Sequence, residues 1–196
     1  MKKSFIVIIG LIVLGLLIFS WYQGTYNNLV QADETVKSAW GNVENQYQRR
    51  SDLVPNLVAT VKGYATHEAT TLENVINARA KATQMTIDPT NLNEATMAQF
   101  QAVQGELSSA LSRLLVSVEA YPDLKANQNF LDLQAQLEGT ENRIATERTR
   151  FNDTAQQYNT LVRRFPNNII AGISGFPVKP YFKAEAGAEK APEVKF

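Results

Sequence analysis

SFIVIIGLIVLGLLIFSWY, residues 4–22, carries no charged side chain and follows Lys2-Lys3. Its apolar part from Phe5 to Tyr22 makes about 27 Å of helix at about 1.5 Å per residue, close to the ~30 Å hydrocarbon core of a bilayer. A cleaved signal peptide is the competing reading. Cleavage asks for small residues at alternate positions before the cut, and Phe19-Ser20-Trp21-Tyr22-Gln23-Gly24 offers no such pair. With no cysteine in the chain, a lipoprotein anchor is excluded too. The segment therefore reads as an uncleaved transmembrane anchor, with Trp21 and Tyr22 at its far end where amphipathic aromatics favour the interface. Lys2 and Lys3 lead and no basic cluster follows, so the positive-inside bias puts the N-terminus in the cytoplasm. The rest of the chain then faces the periplasm or cell exterior.

Composition narrows the chemistry by exclusion. A formal net charge of zero offers nucleic acid no basic surface. Zero Cys and one His remove thiol catalysis and nearly every His-based metal site. A di-iron bundle needs two Glu-x-x-His motifs, and His67 stands alone. His67-Glu68 begins like a zinc-protease motif, but Thr71 occupies the place of the second histidine.

Beyond the anchor, a heptad-like pattern with alternating spacings of four and three runs through four stretches, read as four long helices. Leu29, Asp33, Val36, Trp40, Val43 and Tyr47 mark the first, which continues from the membrane helix with Gly24 as a possible hinge. Val54, Val58, Val61, Ala65, Glu68, Leu72, Val75 and Arg79 mark the second, with Asp52 as N-cap and Pro55 in the first turn. The third, from about Glu94, carries Met97, Phe100, Gln104, Leu107, Leu111, Leu114 and Val118. The fourth runs from Phe130 through Gln134, Leu137, Glu141, Ile144, Arg148, Phe151, Ala155, Tyr158 and Val162 to Phe165. Breakers at Arg50-Ser51-Asp52, Asp88-Pro89, Tyr121-Pro122-Asp123 and Phe165-Pro166 separate them. The expected fold is all-α: a transmembrane helix (1–25), an antiparallel up-down four-helix bundle of long helices (26–168), and a tail (169–196).

This geometry puts Gln48–Asp52 and Tyr121–Asn127 at the distal tip, where Arg49, Arg50, Asp123 and Lys125 are the candidate partner contacts. Solvated turn residues are the plainer account of those positions. Counting down from the tip brings Asp33, Glu68, Gln104, Glu141 and Arg148 to one height on inward stripes. Such a polar layer either fixes helix register, with Arg148 bridging carboxylates, or offers oxygen ligands to Ca²⁺, Mg²⁺ or a cationic ligand. In the tail, NIIAGISGFP (168–177) is apolar and too short to span a bilayer. It either covers the membrane-proximal end of the bundle or lies on the lipid. Residues 183–196 have the Ala-, Glu- and Lys-rich composition of a mobile segment, with Val194 and Phe196 as docking candidates.

The chain closely resembles the LemA family of bacteria. The resemblance covers nearly the whole length: the anchor, YNNLVQADETVKSAWGNVENQYQRRSDLVPNLVATVKGYATHE (26–68), EAYPDLKANQNFLDLQAQLEGTENRIATERTRFNDTAQQYN (119–159), RRFPNNIIAG and the closing KAPEVKF. It implies an anchored helical bundle of the bacterial envelope. It brings no agreed activity, catalytic residue or cofactor, and it links members with membrane metalloproteases or other small envelope proteins. The functional expectation is a tethered scaffold or adaptor in the inner membrane, with a second copy of itself among its candidate partners, and with no cofactor or metal and no catalysis. The alternatives are a ligand or ion sensor working through the polar layer, and an enzyme with Glu68 and Glu141 as acid and base.

Overall fold

The computed structural model describes residues 3–65 and 68–183. Lys2, His67 and residues 184–196, with the docking candidates Val194 and Phe196, lie outside the described residues. Helices account for most of what is described: α1 (Lys3–Lys62), α2 (Ala69–Gln84), α3 (Glu94–Val118), α4 (Pro122–Lys125), α5 (Gln128–Arg163) and α6 (Asn167–Ser174), with a 3-10 turn at Pro89–Asn91. No strand occurs among the described residues.

Helix α1 is 60 residues long, and from Ser4 to Gly24 every residue is exposed. This stretch is long and apolar enough to cross a membrane, and no part of that apolar window is buried in the protein. Burial begins at Thr25 and then follows Leu29, Val36, Trp40, Val43, Tyr47, Val54, Leu57 and Val61 up one stripe.

The expected break at Arg50-Ser51-Asp52 is absent. Helix α1 passes through it and through Pro55 to Lys62. Locally, Asp52 accepts a hydrogen bond from Gln48 at 2.8 Å, one helical turn back, instead of capping a new helix. Pro55 has no N–H, so the carbonyl of Ser51 loses its helical donor. Arg79 of α2 supplies one, its Nε donating to Ser51 O at 2.8 Å. The proline is thus accommodated inside the helix by a contact remote in sequence. The chain first leaves the helix after Lys62, turning at Gly63 and Tyr64, and α2 begins at Ala69, which divides the rhythm read as one helix over 54–79 between the top of α1 and α2.

The other helix starts follow local chemistry. Asn93 caps α3, accepting from the backbone N–H groups of Ala95 and Thr96 while Thr96 Oγ1 accepts from Asn93 N. Asn127 caps α5 through Phe130 N at 3.1 Å. Gly175, at φ 76°, ends α6 in the left-handed conformation that favours glycine.

Pairs across helices give the register. Going up α1 from Trp40 to Arg50 to Tyr64, just past its end, the partners descend by equal steps from Phe151 to Glu141 to Asn127. Helix α5 is therefore antiparallel to α1. Helices α2 and α3 are paired antiparallel by Lys81–Glu106 and Glu68–Tyr121. Two apolar cores result. The lower one is aromatic, with Trp40 against Phe100, Phe151 and Phe182 at ring-centroid distances of 5.1, 5.7 and 5.8 Å. The upper one is aliphatic, built on Val54, Leu57, Val61, Leu72, Val75, Leu107, Leu114 and Leu137.

The role assigned to Arg79 has a measurable consequence. Replacing Arg79 with Met should destabilise the protein in detergent by about 1–3 kcal/mol, the usual cost of leaving a buried carbonyl unpaired. In a Pro55→Ala background the restored N–H takes up Ser51 O, so the same substitution should cost clearly less. Equal costs in both backgrounds would show that Arg79 does not compensate the proline.

Candidate functional site

The two cores meet at a polar waist. On α1 the lower core ends at Tyr47 and the upper begins at Val54; on α3 the limits are Phe100 and Leu107, and on α5 Ile144 and Leu137. Arg50, Gln104 and Glu141 fall in these three gaps. The Arg50 side chain is 2% exposed and lies across the Tyr47 ring, 5.0 Å from its centroid. One terminal nitrogen donates to Glu141 Oε1 at 2.9 Å and Ser108 Oγ at 2.6 Å. The other donates to Gln104 Oε1 at 2.7 Å and Gln104 O at 3.1 Å. A planar fork suits this task, because its donors leave in fixed directions toward separate helices. At the waist a cleft of about 220 Å³ opens between α3 and α5, also lined by Gln101, Ser109 and Arg148.

These positions revise the sequence expectations. Arg49 and Arg50 are not in a tip loop: both lie within α1, Arg49 exposed and Arg50 buried. Asp123 and Lys125 do lie at the far end, on α4, and Lys125 is paired with Glu119. The anticipated polar layer separates into three levels because the turn after α1 comes later than Arg50. Gln104 and Glu141 come together at the waist around Arg50. Glu68 sits at the far end, accepting from Tyr121 at 3.3 Å and Thr71 at 3.0 Å. Asp33 is near the lower end. Among the described residues Arg148 bridges no carboxylate; it donates to Lys183 O at 2.9 Å and stacks over Phe182. Glu68 and Glu141 are thus no acid–base pair. Among the described residues no three His, Cys, Asp or Glu side chains gather in a way that would hold a metal ion. Trp21 and Tyr22 are exposed at the end of the apolar run, and Tyr22 stacks on Tyr26 at 6.2 Å.

The sequence reading missed a second constellation, the strap formed by residues 176–183. Two asparagines one heptad apart on α5 hold its backbone as a neighbouring strand would. Asn159 donates to Lys179 O at 2.8 Å and accepts from Lys179 N at 2.7 Å. Asn152 does the same with Phe182, at 3.0 and 2.8 Å. Tyr158 adds a bond to Pro177 O at 2.9 Å. Phe182 fills the aromatic core, and Lys179 is buried against Asp33 at 2.8 Å. Burial opposes the charged form of Asp33, but hydrogen bonds and charge from Lys179 and Lys37 outweigh it and hold the carboxyl below its ordinary value. The same burial, with the Asp33 charge behind it, raises the Tyr158 hydroxyl. The available signal was Asn152 and Asn159 at equivalent helical positions, facing a segment punctuated by Pro177 and Pro180.

Fold and site together define an all-α protein with a bare apolar helical extension and a body cross-tied by two buried cations. The chain belongs to the LemA family, whose signature matches residues 39–196. It is similar to the magnetosome proteins MamQ 1 and MamQ 2 of Paramagnetospirillum magneticum, 26% identical over a 181-residue alignment that covers 84% of this chain and 66% of theirs. It is also similar to Protein LemA of Metamycoplasma hominis, 24% identical over 170 residues, 87% of this chain and 74% of that protein. The chain thus spans just under two thirds of the length of the magnetosome relatives.

Two predictions follow from the buried cations. Arg50→Met should cost about 3 kcal/mol, because it strands polar partners on two other helices at once. Glu141→Gln should cost only about 1 kcal/mol, since Glu141 is 46% exposed and an amide still accepts. Chemical denaturation in detergent tests the ranking, and a larger loss in the Glu141 variant would contradict it. Asp33 has a lowered pKa in the folded protein, so its contribution is complete above the unfolded value of about 3.9 and fades as pH falls through the folded value. Asp33→Asn should therefore lower the melting temperature at neutral pH and flatten its decline below about pH 4. A variant with the wild-type acid slope would remove the Asp33–Lys179 pair from that role.

Proposed function

We propose that this protein is a single-pass, membrane-tethered scaffold of the bacterial envelope, with no reaction of its own, that holds a helical body away from the bilayer and offers its far end to other envelope proteins. The observation that carries the reading is the continuity of α1. One helix runs without a break from the exposed apolar segment to Lys62, so the far end is held on a rod and not on a flexible linker. At about 1.5 Å per residue, the part from Gln23 to Lys62 would reach about 60 Å beyond the bilayer. Lys2 and Lys3 support a cytoplasmic N-terminus and a body on the outer side of the inner membrane. The antiparallel pairings of α1 with α5 and of α2 with α3 support an up-down four-helix body. At its far end α4 presents Asp123 and Lys125. A membrane protease is one partner of suitable location, and a second copy of this chain is another.

The waist cleft favours a second reading, a ligand sensor. A ligand there that competed for Glu141 would loosen the Arg50 tie between α1 and α5.

In cells, a photo-crosslinker at Ala126 on the full-length protein should capture a partner that one at Arg143, on the exposed face of α5, does not. Asp123→Ala with Lys125→Ala should abolish the capture at equal abundance. Capture of only the protein itself, unchanged in the double variant, would overturn a far-end docking site. Protease added to spheroplasts should digest the body; full protection would reverse the orientation.

A further inference from the structure

Helix α6 buries one face and exposes another. Ile170 and Ala171, each 2% exposed, close the bottom of the lower core. Ile169 and Ile173, four residues apart on α6, are 51% and 78% exposed, and Phe165 in the turn just before the helix is 77% exposed, together an apolar surface that nothing among the described residues covers. Helix α6 has no charged residue, whereas Arg163 and Arg164 stand exposed immediately before it. Its height relative to α1 is set by contact. Phe176, just after α6, meets Tyr26 edge-on at 5.7 Å, and Tyr26 stacks on Tyr22 at the end of the apolar run. One turn of α1, about 6 Å, thus separates the level of Phe176, at the C-terminal end of α6, from the end of the apolar segment.

We propose that α6 is a second membrane contact: an interfacial helix that lies in the outer face of the same bilayer α1 crosses. Phe165, Ile169 and Ile173 enter the boundary between headgroups and acyl chains, and Arg163 and Arg164 meet the lipid phosphates. The chemistry suits that depth, because an apolar stripe flanked by arginines lowers its free energy by burying about 5–10 Å into the interface. Lipid is the occupant assigned because α1 already fixes where the bilayer surface stands. The tail is thereby given both expected roles, one face sealing the bundle end and the other facing lipid.

This inference rests on α1 spanning the membrane, and the test separates the two. The chain has no cysteine, so single-cysteine variants of the full-length protein take one spin label each. Labels are placed at Ile12→Cys in the apolar run, Ile173→Cys on α6 and Val116→Cys on the exposed face of α3. The protein is reconstituted in vesicles of phosphatidylethanolamine and phosphatidylglycerol, and accessibility to oxygen and to a water-soluble nickel chelate is read at each site. The expected result is an oxygen-to-nickel ratio highest at position 12, intermediate at 173, and lowest at 116, with 173 several-fold above 116. A position 173 as open to nickel as 116, with 12 still in lipid, overturns the α6 contact alone. A position 12 open to nickel overturns the span itself. Shielding of 173 from both reagents, with spin–spin broadening, assigns the face to a second copy and overturns the lipid contact.

Discussion

Helix α1 must remain helical through Pro55, and the rest of the body is placed by the way that constraint is met. A proline inside a helix removes one hydrogen bond and crowds the preceding turn, at a cost of about 3 kcal/mol. Here the freed Ser51 carbonyl receives Arg79, which ties α2 to α1 at the height of the defect. Because α1 does not break, its turn comes after Lys62, and Arg50 meets α3 and α5 in mid-body. Both the rod-like reach of the molecule and its polar waist follow from that one accommodation.

The waist and the strap use charge in the same way. Arg50 and Lys179 are both buried, and each faces a carboxylate on a different element. Burying a cation costs several kcal/mol unless its partner and its remaining donors are satisfied. Such a pair adds little net stability over an apolar contact, but it penalises every register except one. Long helices with repetitive stripes can slide by a heptad while keeping apolar surface buried. Arg50 opposite Glu141 and Lys179 opposite Asp33 make such a slide expensive at two heights.

Much of the helical content is legible from local pattern. The apolar run, the start of α3 behind Asn93 and the bounds of α5 between Asn127 and Arg163 all carry signals within a few residues. The first turn is misread because Ser51-Asp52 with Pro55 is a good helix start, and the donor that cancels it lies on another helix. The stripe spacing also runs on in phase through Val61, Ala65, Glu68 and Leu72, which hides the turn at Gly63. Placing the tip at Arg50 then shifts the counted heights and gathers Asp33, Glu68 and Glu141 into one layer. Gln104 and Glu141 meet because their own register is right, whereas Arg50 is missed as their partner. The strap escapes notice because side-chain amides paired with backbone leave no periodic trace.

Residues 176–183 follow all six described helices, yet Phe182 completes the ring stack on Trp40, far nearer the N-terminus. During synthesis, then, the aromatic core is assembled in the absence of its last ring, and Asp33 in the absence of Lys179. Those contacts form only once residues 176–183 have left the ribosome. A chain shortened ahead of Phe176 would carry every described helix and still show an open aromatic seam.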